Sequence, residues 1–256
     1  MKLTFLGTGT SQGVPVIACK CDTCLSTDNK DKRLRSSVLI EVNGKNIVID
    51  SGPDFRQQML KYNVEKLDAI FFTHEHKDHM GGLDDVRAYN YLQRKDMEVF
   101  CEKRVEDALH KEYSYIFADF KYPGIPDVNV NVITNKDFFV DELKVTPIRA
   151  LHHKLPVFGY RIGNLTYITD ANSIADEELS KIKGSEILII NALRKEKHIS
   201  HFNLQEALDI IQIIKPKKAY LTHVSHLMGK HIDVSAGLPS NVEFAYDGLE
   251  IELSLA

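Results

Sequence analysis

Short apolar runs, each stopped by turn-forming residues, recur from one end of the chain to the other, a pattern that predicts many strands and few long helices. Val38-Leu39-Ile40-Glu41-Val42 and Asn46-Ile47-Val48-Ile49-Asp50 flank Asn43-Gly44, a dipeptide suited to the tight turn of a β-hairpin. Further runs lie at 67–72, 130–134, 143–148, 157–162, 166–169, 187–190 and 219–222. Residues 249–253 alternate strictly between apolar and polar, the signature of a strand with one face in water. Helical spacing is clearest over 203–214, where Asn203 can cap the start, Glu206 can complete a capping box and Pro216 ends the run. A second helix is expected at 176–183, closed by Gly184, and others at 54–62 and 83–94. Hairpin-joined strands with helices between them predict two sheets covered by helices on their outer faces. No linker or repeat interrupts the pattern, so the chain reads as one domain over 1–256.

Composition adds exclusions. With 256 residues, 43% hydrophobic and 27% charged, the chain can bury a substantial core. A formal charge of −4 argues against a broad nucleic-acid-binding face. The basic runs at 30–35 and 194–197 read as solvated surface segments, with steering of an anionic substrate as the alternative. No apolar stretch approaches the ~20 residues of a membrane span, and the first strand reaches a turn at Gly7 too early for a signal sequence. Three of the four cysteines fall within six positions, which suits metal binding in a reducing compartment better than a disulfide framework. The expected location is the cytoplasm.

Candidate chemistry begins where one apolar run stops. Directly after 67–72 come Thr73-His74-Glu75-His76-Lys77-Asp78-His79. Imidazole nitrogens and carboxylate oxygens are donors that divalent metals of the zinc type prefer. A merely His-rich solvated loop is the competing reading, and four candidate ligands in six positions, from a chain with 11 histidines, weigh against it. More donors stand at other strand ends: His152 or His153 after the run ending at Leu151, Asp170 after Thr169, and His223 after Thr222. Singly each is an ordinary turn residue; together they would converge if the strands share an edge. Cys19, Cys21 and Cys24 form a separate thiol set, for which His226 is the nearest sensible fourth donor and an incidental thiol cluster is the alternative.

His74-x-His76-x-Asp78-His79, followed by the three strand-end donors, resembles the metallo-β-lactamase superfamily over nearly the whole chain. The resemblance implies an α/β (α+β) fold, the αββα sandwich, with two divalent metals in a cleft at the sheet edges. It assigns His74, His76 and His152 to one metal, and Asp78, His79 and His223 to the other. Asp170 would lie between them, and Asp50 would orient a ligating histidine from behind. It also prefers His152 to His153, and histidine rather than glutamate at position 76 favours hydrolysis over oxygen chemistry.

The segment Gly7-Thr8-Gly9-Thr10-Ser11-Gln12-Gly13-Val14-Pro15, the cysteine set, His201, Leu221-Thr222-His223-Val224-Ser225-His226 and Asp247-Gly248-Leu249-Glu250-Ile251 resemble the PhnP branch, phosphodiesterases of cyclic phosphates. That implies two cleft metals, zinc or manganese, and one structural zinc at Cys19, Cys21, Cys24 and His226. Hydrolysis of a small anionic phosphodiester would depend on Asp78, with His201 as proton donor and His198 as the weaker candidate. The rival within this chemistry is the tRNA 3′-processing endonuclease, whose inserted basic arm has no counterpart here. A non-catalytic metal-binding scaffold is the rival from another class, and the full donor set argues against it. Homodimers are common among such relatives, so the resemblance allows a homodimer here.

Overall fold

The computed structural model of the chain describes residues 1–120 and 122–254. Among the described residues fifteen strands form two sheets. The first contains β1 (Lys2–Gly7), β2 (Ser37–Val42), β3 (Lys45–Ile49), β4 (Ala69–Phe71), β5 (Met97–Glu102) and β6 (Val128–Ile133). The second contains β7 (Phe138–Val140), β8 (Leu143–His152), β9 (Leu155–Ile162), β10 (Leu165–Ile168), β11 (Ser173–Ile174), β12 (Ile187–Asn191), β13 (Lys218–Thr222) and β14 (Val242–Phe244). The last strand, β15 (Glu250–Glu252), returns to pair with β1. Sheet orders are β15-β1-β2-β3-β4-β5-β6 and β11-β8-β9-β10-β12-β13-β14, with β7 on β8.

Central strands that are apolar on both sides need cover on both faces, and the side-chain period of two sends alternate residues into different cores. Ile47, Ile49, Phe71, Tyr160 and Ile189 meet between the sheets. Their neighbours Val48, Ile70 and Phe72 face outward beneath α2 (Phe55–Lys61), α4 (Arg87–Gln93) and α5 (Lys103–Glu112). Leu188 and Ile190 face outward beneath α6 (Asp176–Ile182), α7 (Leu204–Ile214) and α8 (His231–Ala236). The layers are helix, sheet, sheet, helix. Single-turn helices α1 (Asp22–Leu25) and α3 (Lys77–Met80) belong to the loops that carry candidate ligands.

The Asn43-Gly44 hairpin and the capping box of Asn203 and Glu206 both form. Such a cap is worth about 1 kcal/mol, enough to fix where α7 starts. The segment expected at 83–94 begins as a 3₁₀ turn, Leu83–Val86, before α4. The run at 143–148 grows into a ten-residue strand because β8 pairs with β9 along its whole length, down to His152 opposite Leu155. Helix α5 had no expectation; its apolar stripe is thin, with Val105 and Leu109 alone fully buried. Among the described residues no helix is long and apolar enough to cross a membrane.

Candidate metal centre

Four strands end on one rim of the sandwich, and the chain turns sharply as it leaves them. Asp50 after β3, Asp170 after β10 and His223 after β13 adopt left-handed φ values of 65°, 54° and 54°. Asp and His tolerate this region better than most residues, yet it still carries strain of about 1–3 kcal/mol, which collects at functional sites. The turn lifts each side chain over the sheet edge instead of continuing the pleat. His74 follows β4, and α3 brings Asp78 and His79 back beside it. Gly52 makes that return feasible: a Cβ there would lie 2.0 Å from the Asp78 carbonyl oxygen.

The side chains meet in the space between these ends. Donor atoms of His74, His76 and His152 lie within 4.8 Å of one another, as do those of His74, His79 and Asp170 and those of His152, Asp170 and His201. His74 Nε2 sits 2.9 Å from His76 Nδ1. His79 Nε2 is 3.2 Å from Asp78 Oδ2 and 3.2 Å from Asp170 Oδ2. His223 Nδ1 is 3.1 Å from the same Asp170 oxygen. The carboxylate of Asp170 thus sits at the middle of the group.

Partners behind the rings set which nitrogen faces the cleft. His79 Nδ1 donates to Asp50 Oδ2 at 2.7 Å, and Asp50 is held by the backbone N–H and hydroxyl of Thr73, each at 2.8 Å. His152 Nδ1 donates to the carbonyl oxygen of Ser200 at 2.7 Å, which leaves its Nε2 lone pair free. His79 Nε2 is buried beside two carboxylates and makes no hydrogen bond with either. A buried imidazole nitrogen seldom lacks a partner. A cation at that point would supply one.

The electrostatics agree. Burial opposes the charge of Asp170, but His223, His79 and His201 hold its carboxyl well below the usual range. Burial keeps His74 neutral, and it pushes His223 down to about 3, only partly opposed by Asp170. At His79 burial is overcome by Asp170, Asp78 and Asp50, which raise its pKa well above the usual histidine value. Neutral His74 and His223 and an ionised Asp170, around a His79 that its carboxylates draw toward positive charge, mark a spot suited to a divalent metal, which would take the place of that proton. His74, His76 and His152 could hold one ion; Asp78, His79 and His223 could hold a second, with Asp170 between.

A family model described as the Beta-lactamase superfamily domain matches residues 45–224, well over half of the chain. The chain belongs to the metallo-β-lactamase superfamily. A crystal structure of a diphosphatase from the PhnP family is 35% identical, with a TM-score of 0.93 over 99% of this chain and 98% of that one, which puts the chain in the PhnP branch. The short form of human tRNase Z shares the fold, with a TM-score of 0.71 at 19% identity over 99% of this chain and all of that one. An octanoyltransferase of Porphyromonas gingivalis (strain ATCC BAA-308 / W83) is 41% identical over 253 residues, 98% of this chain but 51% of its own length. Ribonuclease Z of Prochlorococcus marinus (strain MIT 9215) is 28% identical over 167 residues, 63% of this chain and 49% of its own. The chain spans about half the length of the curated relatives it matches.

The second candidate centre of this metallo-β-lactamase relative lies beside the first. Sulfur atoms of Cys19, Cys21 and Cys24 and a ring nitrogen of His226 fall within 4.8 Å of one another. His226 Nδ1 is 3.4 Å from Cys19 Sγ and 3.3 Å from Cys21 Sγ. The backbone N–H of Cys24 draws the Cys21 thiol down to about 6, whereas burial pushes Cys24 up to about 11. Three sulfurs and one nitrogen, four soft or borderline donors, suit a structural zinc site. Val224 N bonds the Thr8 carbonyl at 2.9 Å, so the loop carrying both His223 and His226 is anchored between the two centres. Cys21→Ser is therefore expected to lower Tm by about 5–10 °C, the equivalent of about 2–3 kcal/mol, and to weaken metal retention at His223. An unchanged melting curve with unchanged metal content would remove the thiols from any metal site.

Some assignments shift. The run at 30–35 is not simply solvated surface: Arg33 is buried, donating to Thr8 Oγ1 at 2.9 Å and stacking on Phe244, while Arg35 pairs with Asp54 at 2.9 Å. At 194–197, Lys195, Glu196 and Lys197 are exposed, but Arg194 lines the cleft. His153 occupies the exposed β8–β9 turn at a φ of 58°, which leaves His152 facing inward. Ser36, whose Oγ is 3.1 Å from His223 Nδ1, and Thr73 and Ser200 were not singled out by their sequence context. Only Thr73 carried a signal, its place directly before His74.

Proposed function

We propose that the protein is a metal-dependent hydrolase of small anionic phosphodiesters, cyclic ones included. The observation that carries this reading is the gathering of seven His and Asp donors, Asp170 among them, at one rim, with His201 beside them: His201 Nε2 donates to Asp170 Oδ1 at 3.0 Å. The cleft has a volume of about 470 Å³ and is lined by Thr10, Ser11, Gln12, Arg194 and Ser225 together with five of the donors, His76, Asp78, His152, Asp170 and His223. That is the size of a small-molecule site. Two divalent cations held by these residues would lower the pKa of a shared water and neutralise phosphoryl oxygens.

The chain's own residues supply orientation and a proton. His201 Nδ1 lies 3.0 Å from Ser200 Oγ and 3.2 Å from His198 Nδ1, so the ring is fixed with Nε2–H toward the cleft. That proton is the one a leaving alkoxide would take. Arg194 donates through Nη2 to the Lys197 carbonyl, its Nε is buried without an acceptor, and among the described residues no carboxylate pairs with it. Lys77, the lysine that also lines the cleft, is paired with Glu112 at 2.7 Å. An unpaired guanidinium in the wall favours an anionic ligand. Arg194→Gln is expected to raise KM for an anionic diester at least about tenfold, since a hydrogen bond to a charged group is worth about 1.5–3 kcal/mol, with kcat changed less. Steady-state kinetics would read this split, and an unaltered KM would remove Arg194 from substrate binding.

The similarity to a PhnP-family diphosphatase supports phosphoryl chemistry, and the ribonuclease Z relatives support a phosphodiester bond as the target. Octanoyltransferase names a protein about twice as long, half of which lies outside the match, and the donors here are those of a metal cleft. Turnover of bis-p-nitrophenyl phosphate with added Mn²⁺ or Zn²⁺, lost to a chelator and restored by metal, is the expected result. Small cyclic phosphates should be cleaved faster than a tRNA precursor. Faster release of a tRNA 3′ trailer would favour the endonuclease reading, and no turnover with metal fully bound would favour a scaffold.

A further inference from the structure

Glu75 stands between two donors, His74 and His76, but does not line the cleft. Its Oε1 accepts from Arg104 Nη1 at 2.6 Å, and its Oε2 is sealed from solvent without a partner. Arg104, on α5, also donates to the Pro156 carbonyl in β9 and faces Glu102 Oε2 at 3.5 Å. Glu102 holds Arg149 of β8 through two bonds of 2.9 and 2.6 Å. The Arg149 guanidinium rests over the Phe158 ring at 3.9 Å. Burial would raise the Glu102 carboxyl, but Arg149 holds it below its usual value, so the fork stays ionised.

This chain of charges joins the two sheets. Its first member belongs to the loop after β4, and its last members belong to the β8–β9 hairpin that presents His152. Two backbone-directed bonds run alongside: Phe158 N to Thr73 O at 3.0 Å and Tyr160 Oη to Phe72 O at 2.6 Å. They fix the strand up to Thr73 and leave the next three residues to other anchors. His76 is exposed and hydrogen-bonds another histidine of the trio, so its place depends on the backbone beside it.

We infer that the ladder Glu75–Arg104–Glu102–Arg149 is a positioning device that sets the distance between His74–His76 on one sheet and His152 on the other. Partly exposed ion pairs add only about 0–1 kcal/mol each to stability, so the ladder does little for the fold as a whole. Bidentate forks fix distance and direction, and that is what three donors from two sheets need. The inference rests on the proposed reading that the trio holds a cation.

The test uses metal alone. Co²⁺ is titrated into metal-free protein against a competing chelator, and the thiolate centre is told apart by its sulfur-to-cobalt charge-transfer band. Arg104→Met and Glu75→Gln should weaken one cleft site about 10–100-fold, the usual effect of removing a group that orients a ligand. The other cleft site and the thiolate site should keep wild-type affinity, Tm should move by no more than about 3 °C, and Arg104→Lys should fall between. Wild-type affinity in both variants would overturn the ladder's role and leave the proposed function standing. Equal weakening at every site with a large fall in Tm would reduce the ladder to a structural brace. Wild-type protein that takes up no cleft metal would sink the underlying reading and the inference with it.

Discussion

Asp170→Asn is expected to lower kcat/KM on any phosphodiester by about 10³-fold and to reduce the metal retained in the cleft. Asp170 is fully buried, and its two oxygens face His79, His201 and His223 at 3.0 to 3.2 Å. No other carboxylate in the cleft touches three imidazoles. The amide keeps the shape and removes the charge that makes cation binding favourable in a buried setting. A catalytic metal contributes several kcal/mol to stabilising the transition state, and about 4 kcal/mol corresponds to about 10³ in rate. The Asn variant should fold, because Asp170 sits at a rim and outside the three apolar cores. Metal analysis, circular dichroism and diester kinetics on one preparation would check this. Activity within tenfold of wild type would show that Asp170 does not bridge anything.

His201→Ala should separate two roles that its geometry permits. Its Nε2 contacts Asp170, and it falls within ligand range of His152 as well, so distance alone would allow it to hold a metal. A proton donor and a ligand give opposite signatures. A donor's loss should cost about 10²–10⁴-fold in kcat for diesters with alkyl leaving groups. It should cost far less for p-nitrophenyl esters, whose phenolate departs without a proton, and metal content should stay at the wild-type level. Equal losses on both substrate classes together with missing metal would make His201 a ligand. No loss on either would leave it a histidine that merely braces the loop before α7. His198→Ala is the companion variant, since His198 Nδ1 lies 3.2 Å from His201 Nδ1 and could relay the proton.

Much of the site could be read locally because its residues sit where strands stop. A buried strand is an apolar run, so any polar residue that ends one is conspicuous; His74, Asp170 and His223 are all found that way. The clustering of His74, His76, Asp78 and His79 within six positions needed no long-range information. Arg33 and Arg194 were harder. Both lie in basic runs that resemble solvated surface, and only packing shows that Arg33 is buried and that Arg194 is half-buried in the cleft wall. Glu75 and Arg104 show the limit most clearly, because a carboxylate and a guanidinium 29 residues apart carry no sign of each other in the chain.

The sequence by itself determined most of the strands, the capped helix α7, which residues are candidate donors and their separation into hard and soft sets. These follow from side-chain period, turn chemistry and the character of donor atoms, all of which act within a few residues. The resemblance already pointed to His152 over His153 and to His226 as partner of the cysteines; what only the tertiary structure decided is that Asp170 lies against three imidazoles and that His226 reaches Cys19 and Cys21 across 207 and 205 residues. It also decided which nitrogen each ring presents. Those outcomes depend on strand order, on left-handed turns at three strand ends and on burial, and each is set by contacts between segments far apart in the chain. Charge states show this most directly: burial lowers the proton affinity of His74 and His223, while Asp170 and Asp50, brought in from other strand ends, join the neighbouring Asp78 in raising that of His79.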